Sequence, residues 1–251
     1  MSTWELVCCV LGGYLAGVIN TLAGSGSTIT LGLMTELLGL NPGLANGTNR
    51  IGIFLQGLAS LEAFQRNKKL PWQTCWQYLV CGIAGAIVGV YAAITISAEQ
   101  FQAVYKILML LMFGLIFIHP DKWIKQNESQ KKISAWIYVP VFFALGFYGG
   151  FIQLGMGIFF LSVMVLVVGM PLVEANAVKV LMVTTYTVIV ILIFQSKSMI
   201  NWNVGLTIGF GQALGGWVTA QYASTIPNAN KWAYYLLVTI LSLTLIHLYF
   251  F

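Results

Sequence analysis

Charge is what this sequence has least of. Of its 251 residues 12 are Lys or Arg and 7 are Asp or Glu, so 8% are charged, against about 25% in ordinary soluble domains. So few charges cannot cover a water-facing surface, which excludes a soluble globular protein. Histidine is scarcer still: His119 and His247 are the two, they lie far apart, and neither sits in a metal-ligand motif. The four cysteines, Cys8, Cys9, Cys75 and Cys81, form no CxxC pair and read as small packing residues. There is no GxSxG, no P-loop and no HExxH. ATP hydrolysis by this chain is therefore excluded, and an embedded enzyme would have no nucleophile–base pair. No metal or other cofactor is called for, and no nucleic-acid partner.

What the chain has instead is hydrocarbon. Hydrophobic residues make up 59% of it, and the mean hydropathy is +0.85. They run consecutively rather than alternating, which argues against a membrane β-barrel and for an all-α polytopic membrane protein in a lipid bilayer. Runs and breaks divide the chain into ten segments, approximately 4–23, 28–40, 43–64, 73–95, 99–118, 134–153, 158–170, 172–195, 203–223 and 229–250. The second and seventh are short: about 13 residues rise about 20 Å, against a hydrocarbon core of about 30 Å. They read as return legs of re-entrant hairpins. The first run lacks the positive flank of a signal peptide, since no Lys or Arg precedes it and Glu5 is the only charged side chain at its start. It reads as an uncleaved helix.

Seven of the twelve cations fall in two loops: Arg66, Lys68 and Lys69, then Lys122, Lys125, Lys131 and Lys132. By the positive-inside rule, loops 65–72 and 119–133 are cytoplasmic and both termini lie outside. The membrane is then a bacterial-type inner membrane.

The two halves also resemble each other. An offset of 130 pairs Gly39 with Gly169, Ala45 and Asn46 with Ala175 and Asn176, Phe64 with Phe194, and Trp72 with Trp202. Gly13xxxGly17 matches Gly146xxxGly150, and Gly24-x-Gly26 matches Gly155-x-Gly157. With five segments per half, the second half enters the membrane upside down. Residues 1–118 and 134–251 thus read as two inverted-topology transmembrane repeats around a cytoplasmic linker, 119–133. Such repeats with interrupted helices point to a secondary transporter.

Two features carry candidate chemistry. One is the glycine-rich break at Gly24, Ser25, Gly26 and Ser27, with its counterpart at Gln153, Gly155 and Gly157. Glycine permits a sharp turn and exposes backbone N–H groups, which suits an anion. The plain alternative is a tight turn between packed helices. The other feature opens the segments at 43–64 and 172–195. On a helix, Asn46 shares a face with Asn49 and Arg50, and Asn176 with Lys179, with Thr48 adding a hydroxyl. Each cation lies eight residues past a proline, Pro42 or Pro171, or about 12 Å along the axis. A charge at that depth marks a functional site unless it snorkels or pairs with Glu36 or Glu174.

Taken together, "GYLAGVINTLAGSGST", a short helix ending "LNP", "ANGTNR" and a cationic loop before a Trp, repeated in degenerate form from "GFYGGFIQLGMGI" onward, resemble the TauE/SafE sulfite-exporter family. The resemblance spans essentially the whole chain. It implies transport, usually export, of small sulfur-containing anions such as sulfite, thiosulfate or organosulfonates, and a pair of helical hairpins around a central site. It lays the glycine-rich turns on Gly24 to Gly26 and Gly155 to Gly157, and the helix openings on Ala45 to Asn49 and Ala175 to Lys179. The second turn is less polar than the first, with Met156 and Ile158, and Val178 stands where Thr48 offers a hydroxyl.

The expectation is a secondary carrier of a small anionic substrate. Lys179 and Arg50 would supply positive field, and Asn46, Asn49 and Asn176 would supply donors. Uptake by proton symport through Glu36 or Glu174 is a rival, as is a non-transporting membrane subunit or scaffold partnering a sulfur-metabolism enzyme. A homo-oligomer stays open.

Overall fold

The computed structural model describes residues 1–22, 24–97 and 134–222, with isolated positions between 99 and 114 and between 235 and 246. The segments expected at 99–118 and 229–250 lie largely outside the described residues, and the linker 119–133 wholly so. Described residues form helices and turns, with no strand among them.

Each half repeats one order of elements. In the first, α1 (Thr3–Leu22) ends at a glycine break. A short helix, α2 (Ser27–Gly32), then continues as a π-helical turn over Leu33–Leu37. α3 (Pro42–Arg66) and α4 (Trp72–Ala93) follow. The second half runs α5 (Ala135–Phe151), α6 (Met156–Ser162) with a π-helical turn over Val163–Val168, α7 (Leu172–Ser196) and α8 (Trp202–Tyr222). The six and five residues of α2 and its π turn, or the seven and six of α6 and its own, rise about 16–20 Å. Neither crosses a bilayer core of about 30 Å.

Local chemistry sets these boundaries. Each π turn is closed by a left-handed glycine, Gly39 (φ 65) or Gly169 (φ 77), where a Cβ would be strained. The following amide reaches back six residues, Leu40 to Met34 and Met170 to Met164, both at 2.9 Å. A proline then opens the long helix, where its missing N–H leaves no bond unmade. Asn41 caps α3 by accepting from the Leu44 amide at 2.8 Å.

The halves interlock. α1 packs on α8 and α5 on α4, so each half's first helix lies against the other half's last described one. Small residues permit this: a Cβ on Gly17 would fall 2.9 Å from the Gly216 nitrogen, and one on Gly150 2.8 Å from the Ala86 carbonyl carbon. At the centre α3 and α7 cross antiparallel. Gly47, near the start of α3, abuts Phe194 near the end of α7, while Phe64 clusters with Ala177.

The outer surface is apolar, and polar side chains lie buried among the apolar ones of the core. Leu11, Leu15, Trp76, Leu192 and Phe210 are exposed, whereas Arg50, Gln56, Asn49 and Gln212 are buried. Such an outer surface is solvated by lipid, and three of the helices are long and apolar enough to span it. The chain is an integral membrane protein.

Candidate functional site

The two Asn–cation pairs do the same job, each for the opposite half. Asn46 donates Nδ2 to the carbonyl of Phe151, the last residue of α5, at 3.1 Å. Asn176 donates Nδ2 to the carbonyl of Leu22, the last residue of α1, also at 3.1 Å. A helix C-terminus exposes unpaired carbonyls and carries partial negative charge. The cations complete each cap. Arg50 donates Nη1 to the Gly149 carbonyl at 2.7 Å and to Gln153 Oε1. It donates Nη2 to the Gly150 carbonyl and to Asn46 Oδ1, both at 3.1 Å. Lys179 donates Nζ to the Asn20 carbonyl at 2.7 Å, the Thr21 carbonyl at 3.5 Å and Asn176 Oδ1 at 2.6 Å. Neither cation snorkels or pairs with Glu36 or Glu174. Among the described residues the ion pair is Arg66–Glu62 at 3.7 Å, on the exposed end of α3.

Their surroundings differ. Arg50 is fully enclosed, with its guanidinium carbon 5.8 Å from the centroid of the Phe194 ring. Lys179 lines a cavity. That cavity, about 20 Å³ and room for one water, is bounded by Asn20 and Gly24, by Ile53, Gln56 and Gly57 of α3, by Gln153, Met156 and Gly157, and by Lys179, Val180, Val183 and Thr184 of α7. It sits at the middle of both long helices, where the two glycine breaks meet. There Gly24 (φ 77) lies against Gly157 so closely that a Cβ on Gly157 would fall 2.7 Å from the Gly24 carbonyl oxygen.

Of the residues singled out from sequence, Gly24, Gln153, Gly157 and Lys179 line this cavity. Arg50 and Asn46 stand behind it, reaching it through Gln153. Asn176 orients Lys179. Gly155 (φ 63) makes the turn before α6, and Gly26 packs under α1, where a Cβ would come 2.9 Å from the Ala16 carbonyl carbon. Ser25 and Ser27 are buried in the first break, and Ser25 Oγ has no partner. Asn49 accepts from Thr30 Oγ1 at 2.7 Å, leaving its Nδ2 unpartnered. Thr48 faces elsewhere: its Oγ1 accepts from the Asn201 amide at 2.9 Å, tying α3 to the turn before α8.

Two polar lining residues, Asn20 and Thr184, were not among the sequence candidates, whereas Gln56 was readable there as a substrate contact or a cross-helix bond. Asn20 donates Nδ2 to Gln56 Oε1 at 2.9 Å, and Thr184 bonds its own helix at Val180. Gln56 stands out in sequence as an amide within an apolar run. Asn20 did carry a signal, because the match of Gly17 with Gly150 sets it opposite Gln153, an amide in each half.

A cavity that sets one ammonium among the amides of Asn20, Gln56 and Gln153 is suited to holding an anion. The chain matches the family model described as "Sulfite exporter TauE/SafE" over residues 9–245. It is 26% identical over 212 residues to a "Probable membrane transporter protein ORF9" of Sinorhizobium sp, covering 84% of this chain and 80% of that one. A "Probable membrane transporter protein" of Haemophilus influenzae is likewise 26% identical over 213 residues, covering 85% and 83%. "Probable membrane transporter protein YunE" of Bacillus subtilis is 23% identical over 236 residues, covering 84% and 86%. No solved structure matches the chain. A polytopic all-helical membrane protein of the transporter type, it belongs to the TauE/SafE sulfite exporter family.

Proposed function

We propose that the protein is a secondary transporter that exports small sulfur-containing anions, such as sulfite, thiosulfate or organosulfonates, by alternating access. The observation that carries this reading is Lys179. It is the cation on the wall of a mid-depth cavity, set among the amides of Asn20, Gln56 and Gln153. A charge kept at that depth is expensive unless it serves a pathway. Sulfur oxyanions spread their charge over oxygens, which match an ammonium and several amide N–H groups. The family's name adds the substrate class.

One water's space does not hold a sulfur oxyanion, so binding requires the cavity to widen. Opening requires the Gly24 and Gly157 breaks to part, each moving with its own hairpin. An inverted relation between the halves, 1–118 and 134–251, is supported by the recurring element order and by the antiparallel crossing of α3 and α7. Rocking of one repeat against the other then exposes the site to either face in turn. With loops 65–72 and 119–133 cytoplasmic in a bacterial inner membrane, an anion leaving the cell gains about 2.3 kcal/mol per 100 mV. Export therefore needs no coupled ion.

The test is flux through purified protein in proteoliposomes offered sulfite, thiosulfate and sulfoacetate separately, with an imposed potential and then a pH gradient. Saturable movement of one anion that follows the potential alone supports the proposal. Dependence on the pH gradient turns attention to Glu36 and Glu174. No flux of any anion through folded protein overturns it in favour of a membrane subunit.

A further inference from the structure

The two sides of the central cavity differ in chemistry although they share a backbone plan. On the side formed by α1, α3 and α8, each helix brings a stripe of small or polar residues spaced four apart: Gly17 and Thr21, then Gly52, Gln56 and Ser60, then Gln212 and Gly216. These residues meet. Gln56 accepts from Asn20, on the cavity wall, and donates Nε2 to Thr21 Oγ1 at 3.0 Å. Thr21 Oγ1 lies 3.5 Å from Ser60 Oγ. A Cβ on Gly216 would fall 2.6 Å from that same Ser60 oxygen, so the glycine leaves room for the hydroxyl. Gln212 is fully buried one turn away, against Gly52, and neither of its amide atoms has a partner.

On the other side, formed by α4, α5 and α7, the offset of 130 puts Met182, Tyr186 and Val190 where Gly52, Gln56 and Ser60 stand, and Gly82 where Gln212 stands. Aromatics close the rest of that side, Tyr78 stacked on Phe142 at 4.3 Å and Phe142 edge-to-face with Phe160 at 5.8 Å. Packing alone does not call for the polar seam, since the other side packs on the same plan with Met182 and Val190, its polar atom at the matching positions being the buried, unpartnered hydroxyl of Tyr186. Within a membrane, an amide with no partner is tolerated where water or a passing solute reaches it.

We infer that the seam between α1, α3 and α8, marked by Asn20, Thr21, Gln56 and Ser60, is the route by which solute and water pass between the central cavity and the membrane face where α3 ends. It is shut in this conformation by the hydrogen bonds that Gln56, Thr21 and Ser60 make with one another and with Asn20. The α4–α5–α7 side has no such route. The inference rests on the transport reading, which it deepens by assigning a path to the site.

The experiment reads accessibility, not flux, so it stands apart from the identity of the anion. Cys8, Cys9, Cys75 and Cys81 are replaced by Ala, and Ser60→Cys and Val190→Cys are made separately in that background. Thr21→Cys provides a second probe of the seam if Ser60→Cys folds poorly. Sealed vesicles of both orientations are treated with a charged, membrane-impermeant methanethiosulfonate. The seam variants should react roughly tenfold or more faster than Val190→Cys, because only a hydrated thiol ionises to the reactive thiolate. They should do so from the face where Arg66 lies. Equal rates at Ser60 and Val190, or labelling of the seam from the opposite face alone, would overturn the inference. Flux that is absent while the seam labels as expected would count against the anion proposal and leave the route standing.

Discussion

Arg50 and Lys179 reach the same kind of partner by different means. Both cap the C-terminus of the other half's broken helix, each beside an Asn that binds the last carbonyl. Arg50 spreads four bonds over Gly149, Gly150, Gln153 and Asn46 under a covering aromatic ring. A planar fork holds several acceptors at once, which suits a fixed joint. Lys179 is a point charge on a flexible stem, with one side open to the cavity. Its bonds to Asn20 and Thr21 can be exchanged for bonds to an arriving anion without the charge ever losing all its partners. Under the proposed function the difference becomes a division of labour, in which Arg50 would hold the halves together and Lys179 would meet the substrate.

The strongest way to break that division is Arg50→Leu. It strips four amide oxygens of their donor and should destabilise the protein by about 3–5 kcal/mol, read as lost folded yield and a lower thermal transition in detergent. Arg50→Lys should recover little, because an ammonium cannot reach Gly149, Gly150 and Gln153 together. A wild-type transition in Arg50→Leu would mean that the sealed cap is not a joint. Gly157→Ala pushes a methyl into the Gly24 backbone and should cost about 2 kcal/mol by overpacking, with flux falling as the two breaks are wedged apart. Normal stability and flux would show that the breaks are not in the tight contact described.

Lys179→Met should cost less, about 1–2 kcal/mol, since the carbonyls it abandons border a cavity that admits water. A thermal transition lowered as far as that of Arg50→Leu would erase the distinction between the two cations. Thr48→Val should be the mildest change, about 1 kcal/mol for the lost bond to the Asn201 amide, with flux unchanged per folded molecule. Lost flux at normal stability would place Thr48 in the pathway after all.

Much of the helical layout is legible in the sequence, because prolines and glycines punctuate it. The segment expected at 4–23 is Thr3–Leu22, that at 43–64 is Pro42–Arg66, and that at 203–223 is Trp202–Tyr222. The short helices were visible too, but not their π-helical endings. Those depend on where Gly39 and Gly169 turn relative to the helix, not on composition. At the site, the paired Asn–cation motifs were visible as buried polarity on one helix face. That each caps a helix of the opposite half was not, because the bond from Asn46 to Phe151 spans 105 residues and exists only in the folded chain. The same holds for Thr48. Its replacement by Val178 in the second half looks like a loss of substrate contact, whereas the hydroxyl serves the turn before α8.

The measurement that tests the central claim most directly compares wild-type protein and Lys179→Met in proteoliposomes loaded with sulfite, at matched amounts of folded protein and an imposed potential. Removing the charge that meets the anion should lower sulfite flux roughly a hundredfold, equivalent to about 3 kcal/mol. Flux in Lys179→Met that saturates at the same concentration and rate as wild type would contradict the assignment of the anion to this cavity.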